Sequence, residues 1–136
     1  MERRRRLATG ALLVEVARAD GIIGTEERQV MQTALETTLG LSREDAFALL
    51  EEAEKHSRQA TSLFELTQEL DRALLAEEKA AIVELLWRVA FADARKDPHE
   101  EQRVRQIAGL LHVPHADFIE AKIRGRAHGE GGRGPA

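Results

Sequence analysis

The sequence predicts an all-α fold: a single compact domain of about seven helices built on an internal duplication. Three observations predict it. Apolar residues recur at helical spacing along nearly the whole chain. Strand signals are lacking, since there is no tyrosine, aromatics make up only 4% of residues, and no alternating apolar–polar run exceeds a few residues. Finally, residues 12–27, LLVEVARADGIIGTEE, are echoed at 85–100, LLWRVAFADARKDPHE. A shift of 73 residues, Leu12 to Leu85, also matches Leu13 with Leu86, Val16 with Val89, Asp20 with Asp93 and Glu27 with Glu100. Two helix–loop–helix halves near residues 7–41 and 80–113 are expected to pack about a pseudo-two-fold, with the fifth helix against the first.

The first helix is expected over Arg3 to Ala19 and the second over Thr25 to Leu39, closed by Gly40 as a left-handed cap. A third opens at Ser42 and turns Phe47, Leu49, Leu50 and Ala53 inward. A fourth opens at Ser62, with Glu65 completing a capping box and Leu63, Leu66, Leu70 and Leu74 on one face. The fifth, Glu77 to Ala92, is apolar on more than one side and carries Trp87, so it is expected to be the central buried helix. Asp97, Pro98 and Glu100 have the types wanted at the N-cap, first and third positions of a sixth helix, which packs through Val104, Ile107, Ala108 and Leu111. The seventh begins near Pro114 and offers Phe118, Ile119 and Ile123. The domain therefore covers residues 1–127, and the Gly-rich 128–136 is expected to be a frayed tail.

Composition bounds the function. At 136 residues with 43% hydrophobic and 32% charged, the chain has enough apolar surface for a core without staples. The absence of cysteine excludes disulfides and thiolate chemistry. No apolar run approaches the roughly 18–20 residues that span a bilayer, and Glu15 and Arg18 interrupt MERRRRLATGALL too soon for a secretory signal. A cytoplasmic location is expected. A net charge of −4 argues against a nucleic-acid partner.

The repeated acids carry the chemical question. Glu27 and Glu100 fall in the first turn of a helix, where the macrodipole favours a carboxylate by about 0.3–1 kcal/mol, and this suffices to explain them. Asp20 and Asp93 fall at helix C-terminal ends, where an anion is disfavoured. An Asx-turn accounts for them, Asp20-Gly21 being an ordinary turn dipeptide. The alternative is neutralisation by a buried arginine or by a hard cation, Ca²⁺ or Mg²⁺, held by carboxylates and loop carbonyls. The spacing is not that of an EF-hand, because Ile22 and Ile23 stand where a calcium loop is polar.

The stretches ARADGIIGTEE, LGLSREDAFALLEEAE and LLWRVAFADARKDPHEEQRVRQIAGLLHV resemble the TerB family of tellurite-resistance-associated proteins over roughly residues 7–124. The resemblance implies an all-α domain with duplicated halves and a bacterial stress-associated role without enzymatic chemistry. It also implies Asp20, Glu27, Asp93 and Glu100 as candidate metal ligands. Gly21 keeps the family's A-D-G, whereas Ala94 replaces the second glycine, which makes the second loop the weaker candidate.

The remaining features read as ordinary surface or core. His112 and His115 straddle Pro114 without a third ligand for zinc, Trp87 reads as core, and Glu51, Glu52 and Glu54 beside Lys55 read as a solvated helix face. The Arg3–Arg6 run reads as a solvated, frayed end. No nucleophile–base–orienter set can be assembled, so no enzyme is expected. Two classes of function stay open. One is an interaction module for a protein partner, with peripheral association with a membrane complex as one form of it. The other is a Ca²⁺- or Mg²⁺-responsive binding protein. The oligomeric state is not legible.

Overall fold

The computed structural model describes residues 3–18, 23–59, 63–92 and 98–131, and these form seven helices with no strand among them. In chain order they are α1 (Arg3–Ala17), α2 (Thr25–Leu39), α3 (Arg43–Gln59), α4 (Leu63–Ala73), α5 (Ala76–Ala92), α6 (Pro98–Leu110) and α7 (His115–Gly131).

Local chemistry sets the boundaries. Gly40 adopts φ 65°, ψ 34°, and the Gly40 and Leu41 amides both donate to the Glu36 carbonyl. That left-handed stop is the one expected for glycine. The Ser42 hydroxyl accepts from the Asp45 amide at 3.1 Å and starts α3. The partners expected at two other starts, Ser62 and Asp97, lie outside the described residues. α7 continues to Gly131, past the point where the tail is expected to begin.

The core is organised around α1 and α5, which pack on each other. α2 and α6 each pack against both of them; α3 and α4 lie on α1, and α7 covers α5. The expectation of one central helix falls short here, because α1 is buried from Ala8 to Val14 without interruption. Its small residues permit this. Ala53 of α3 approaches Gly10 so closely that a Cβ there would lie 2.9 Å from the Ala53 Cβ. Its polar member, Thr9, returns its hydroxyl to the Arg5 carbonyl at 2.8 Å. On α5, Ile82, Val83, Leu85, Leu86, Trp87 and Val89 are all buried, as their periodicity predicts.

Three expected core side chains are on the surface instead. α3 turns Ala46, Leu50 and Ala53 inward, which leaves Phe47 48% exposed. α7 turns Phe118 and Ala121 inward, and Ile119 and Ile123 face solvent. The acidic face of α3 is likewise less free than predicted. Glu52 pairs with Arg3 at 2.7 Å and Glu54 pairs with Arg28 of α2, so both reach other helices rather than Lys55. Arg3 thus takes part in a tertiary ion pair at the start of α1, where fraying was expected.

One electrostatic knot joins the helix ends. Asp71 of α4 accepts from Lys79 of α5 at 2.5 Å, and its other oxygen lies 3.1 Å from Nδ1 of His112. His112 closes α6 in a left-handed conformation, φ 59°, and its ring is exposed. The hydrogen bond from Lys79, and then that from His112, hold the Asp71 carboxyl below its ordinary value of 3.8. A carboxyl lowered on folding stabilises the fold above its unfolded pKa and loses that contribution as the pH falls through its folded pKa. Asp71→Asn is therefore expected to lower Tm at neutral pH and to lose less stability than the wild type below about pH 4. Circular dichroism melts across that range check it; parallel losses in the two proteins would contradict the assignment.

Candidate functional site

The four acids singled out by the repeat divide into two kinds. Asp20 and Asp93 lie outside the described residues. Glu27 and Glu100 are described, and both stand at the third position of a helix, α2 and α6 respectively. The structure adds something that neither position predicts, since Glu27 is only 7% exposed and Glu100 is fully buried. A carboxylate placed for the macrodipole alone gains by staying hydrated. Moving it out of water is costly unless its charge is compensated.

Local backbone explains half of the Glu27 geometry. The chain is extended at Gly24, the N-cap of α2 (φ −74°, ψ 160°). The Gly24 amide donates to Glu27 Oε1 at a long 3.4 Å, the return arm of a capping box. Glu27 Oε2 is buried as well, as are both oxygens of Glu100. The two acids therefore share sequence position, helix position and burial, and the helices that carry them pack on the same central pair, α1 and α5.

These residues fit a hard divalent cation by donor type, because buried carboxylate oxygens at a loop–helix junction are what Ca²⁺ and Mg²⁺ take. Each Glu sits a few residues downstream of its Asp. Among the described residues, no three His, Asp or Glu side chains converge on a common point. Glu27 and Glu100 each supply one carboxylate.

The other concave surfaces are less informative. A groove of about 370 Å³ between α6 and α7 is lined mainly by Gly109, Val113, Phe118 and Ile119, with Arg105 and His115 at its edge. A second, of about 310 Å³, is polar and lies between α2 and the start of α3.

An all-α domain with seven helices among its described residues and buried acids at the starts of two of them is the class of protein these observations define. The chain belongs to the TerB family, whose model, described as tellurite resistance protein TerB, matches residues 6–123. No curated protein and no solved structure gives a significant match. No helix among the described residues is long and apolar enough to cross a membrane.

Sequence reasoning treated Glu27 and Glu100 as fully explained by their helix positions and put the chemical question on Asp20 and Asp93. The burial of the two Glu residues was missed. The signal available was that the Glu recurs with the Asp at the same interval in both halves.

Proposed function

We propose that this chain is a non-enzymatic binding domain in which a divalent cation, Ca²⁺ or Mg²⁺, is held at one or both acidic junctions. Asp20 with Glu27 forms the first junction and Asp93 with Glu100 the second. The observation that carries this reading is a buried Glu at each of two matched helix starts, each seven residues after an Asp, because carboxylate oxygens are the donors that a hard divalent cation takes. When bound, the ion supplies positive charge at the start of α2 or α6 and ties the preceding loop to the helix. Its effect falls on stability, and on the affinity of the helix faces for a protein partner. The phrase repeated at 12–27 and 85–100 offers two such junctions, with the first favoured because Gly21 keeps the turn-forming residue that Ala94 lacks.

The wild type is expected to gain roughly 4–8 °C in Tm when Ca²⁺ or Mg²⁺ is about tenfold above its Kd. Asp20→Asn and Glu27→Gln should remove the gain at the first junction, and Asp93→Asn and Glu100→Gln at the second. An unchanged melt with both ions at millimolar concentration, with no heat in a calorimetric titration, sinks the cation reading. What then stands is an interaction module that works without an ion.

A further inference from the structure

Gly109 has no use inside the domain. Gly10 and Gly125 leave out a Cβ that would lie 2.9 Å and 2.6 Å from a neighbouring helix, and Gly40 makes the left-handed turn that ends α2. Nothing lies within 4 Å of a Cβ placed at Gly109, and the left-handed residue that ends α6 is His112. A glycine in a helix weakens it relative to alanine, so its presence calls for another cause.

The place of Gly109 supplies one. It lines the groove of about 370 Å³ between α6 and α7, a volume at the lower end of the roughly 300–1,000 Å³ of small-ligand sites. Phe118 and Ala108, both buried, make its floor apolar, and Val113 and Ile119 extend it. With no side chain at 109, an occupant reaches the α6 backbone. At the edge stands Arg105. Its guanidinium lies over the Phe118 ring, 5.9 Å from the centroid, and no carboxylate pairs with it among the described residues. Glu101, one turn earlier on α6, makes no ion pair with it. The His115 ring, 6.4 Å from that of Phe118, adds a second polar group to the rim.

We propose that this groove binds a small apolar monocarboxylate, an aliphatic or aromatic acid. Its hydrocarbon part lies on Phe118 and against Gly109, and its carboxylate pairs with Arg105. A guanidinium fork takes a carboxylate through two parallel hydrogen bonds, which selects that anion for a site with an apolar floor. A dianion is the poorer fit. The lining supplies one full positive charge, Arg105, and Glu101 and Asp117 stand within about a turn of Arg105 and His115 on their helices. An uncharged hydrocarbon leaves the guanidinium without a partner. Neither Glu27 nor Glu100 lines the groove, so this site stands or falls apart from the cation junctions.

Octanoate tests it against octanol, which carries the same chain without the charge. In NMR amide spectra of the full chain, octanoate up to about 3 mM should shift Gly109, Val113, His115 and Phe118 saturably, with a Kd of roughly 1 mM or tighter. Octanol should bind at least about tenfold more weakly. Arg105→Gln should weaken octanoate about tenfold, to the level of octanol, and leave octanol unchanged. Gly109→Leu should weaken both ligands by filling the groove, while its Tm without ligand equals or exceeds that of the wild type, since leucine is the better helix former. Thermal melts confirm that each variant folds. Should Gly109→Leu fail to fold, Ile119→Asp, at a position 39% exposed, takes its place and should weaken octanoate more than octanol. Octanoate that gives no saturable shifts at these amides, or shifts centred on another face, overturns the proposal. So does octanol binding as tightly as octanoate, or an octanoate affinity unchanged in Arg105→Gln or in the groove-filling variant.

Discussion

Replacing Trp87 by alanine is expected to lower the free energy of unfolding by about 3–5 kcal/mol, a large part of the roughly 5–15 kcal/mol that holds a domain folded. Trp87 is fully buried in the middle of α5. Its ring stacks on Phe91 with centroids 5.3 Å apart and meets Phe118 of α7 at 5.6 Å, while the Lys122 ammonium sits 5.0 Å from it. Truncation therefore loses transfer energy, two aromatic contacts and a cation–π contact, and leaves a cavity that two packed helices cannot readily close. Trp87→Phe should cost far less. The indole N–H is buried with no hydrogen-bond acceptor among the described residues, and removing such a donor recovers about 1–3 kcal/mol of desolvation. Urea unfolding of both variants measures the contrast. A loss below about 1 kcal/mol for the alanine variant would place Trp87 outside the core.

Trp87 also shows which parts of this fold are legible in the sequence. On α5 and α6 the large apolar residues fall on the buried faces, so periodicity identifies both the elements and their packing. Pro98 and Gly40 mark boundaries by removing alternatives to a helix start and a helix end. α7 defeats the same reasoning for a physical reason. Its buried contact with α5 is made close by Ala121 and Gly125, residues with almost no hydrophobic weight, and the larger Ile119 and Ile123 are left outside. Counting apolar mass thus selects the wrong face wherever two helices approach through small residues. Glu100 fails differently. An acid at the third position of a helix already has a local reason to be there, and no local pattern distinguishes a hydrated carboxylate from a buried one. The candidate site is therefore half legible: the recurrence of Glu27 as Glu100 marks the starts of α2 and α6, but the depth of the two Glu residues depends on how those helices seat against α1 and α5.

The seating of α7 makes Gly125→Ala the sharpest test of that geometry, because two principles predict opposite signs. Alanine is the better helix former by about 1 kcal/mol, so propensity alone predicts a gain. Against this, a Cβ at 125 would lie 2.6 Å from the Trp87 Cβ, 3.1 Å from the Glu84 carbonyl oxygen and 3.2 Å from the Arg88 amide nitrogen. Two of those three atoms are helix backbone and the third is fixed to it, so no flexible side chain can swing clear. α7 must move off α5, which strains or uncovers Phe118 and the Trp87 ring, and overpacking of this kind costs about 1–3 kcal/mol, occasionally more. The steric cost exceeds the propensity gain, and the variant is expected to be less stable. Gly109 of α6 is the control: nothing lies within 4 Å of a Cβ placed there, so Gly109→Ala should gain up to about 1 kcal/mol. Denaturant melts of the two variants should thus shift in opposite directions. A shift of the same sign for both would mean that α7 does not meet α5 at Gly125. The exposure of Ile119 and Ile123 would then need another cause, since they point away from the domain because Gly125 and Ala121 point into it.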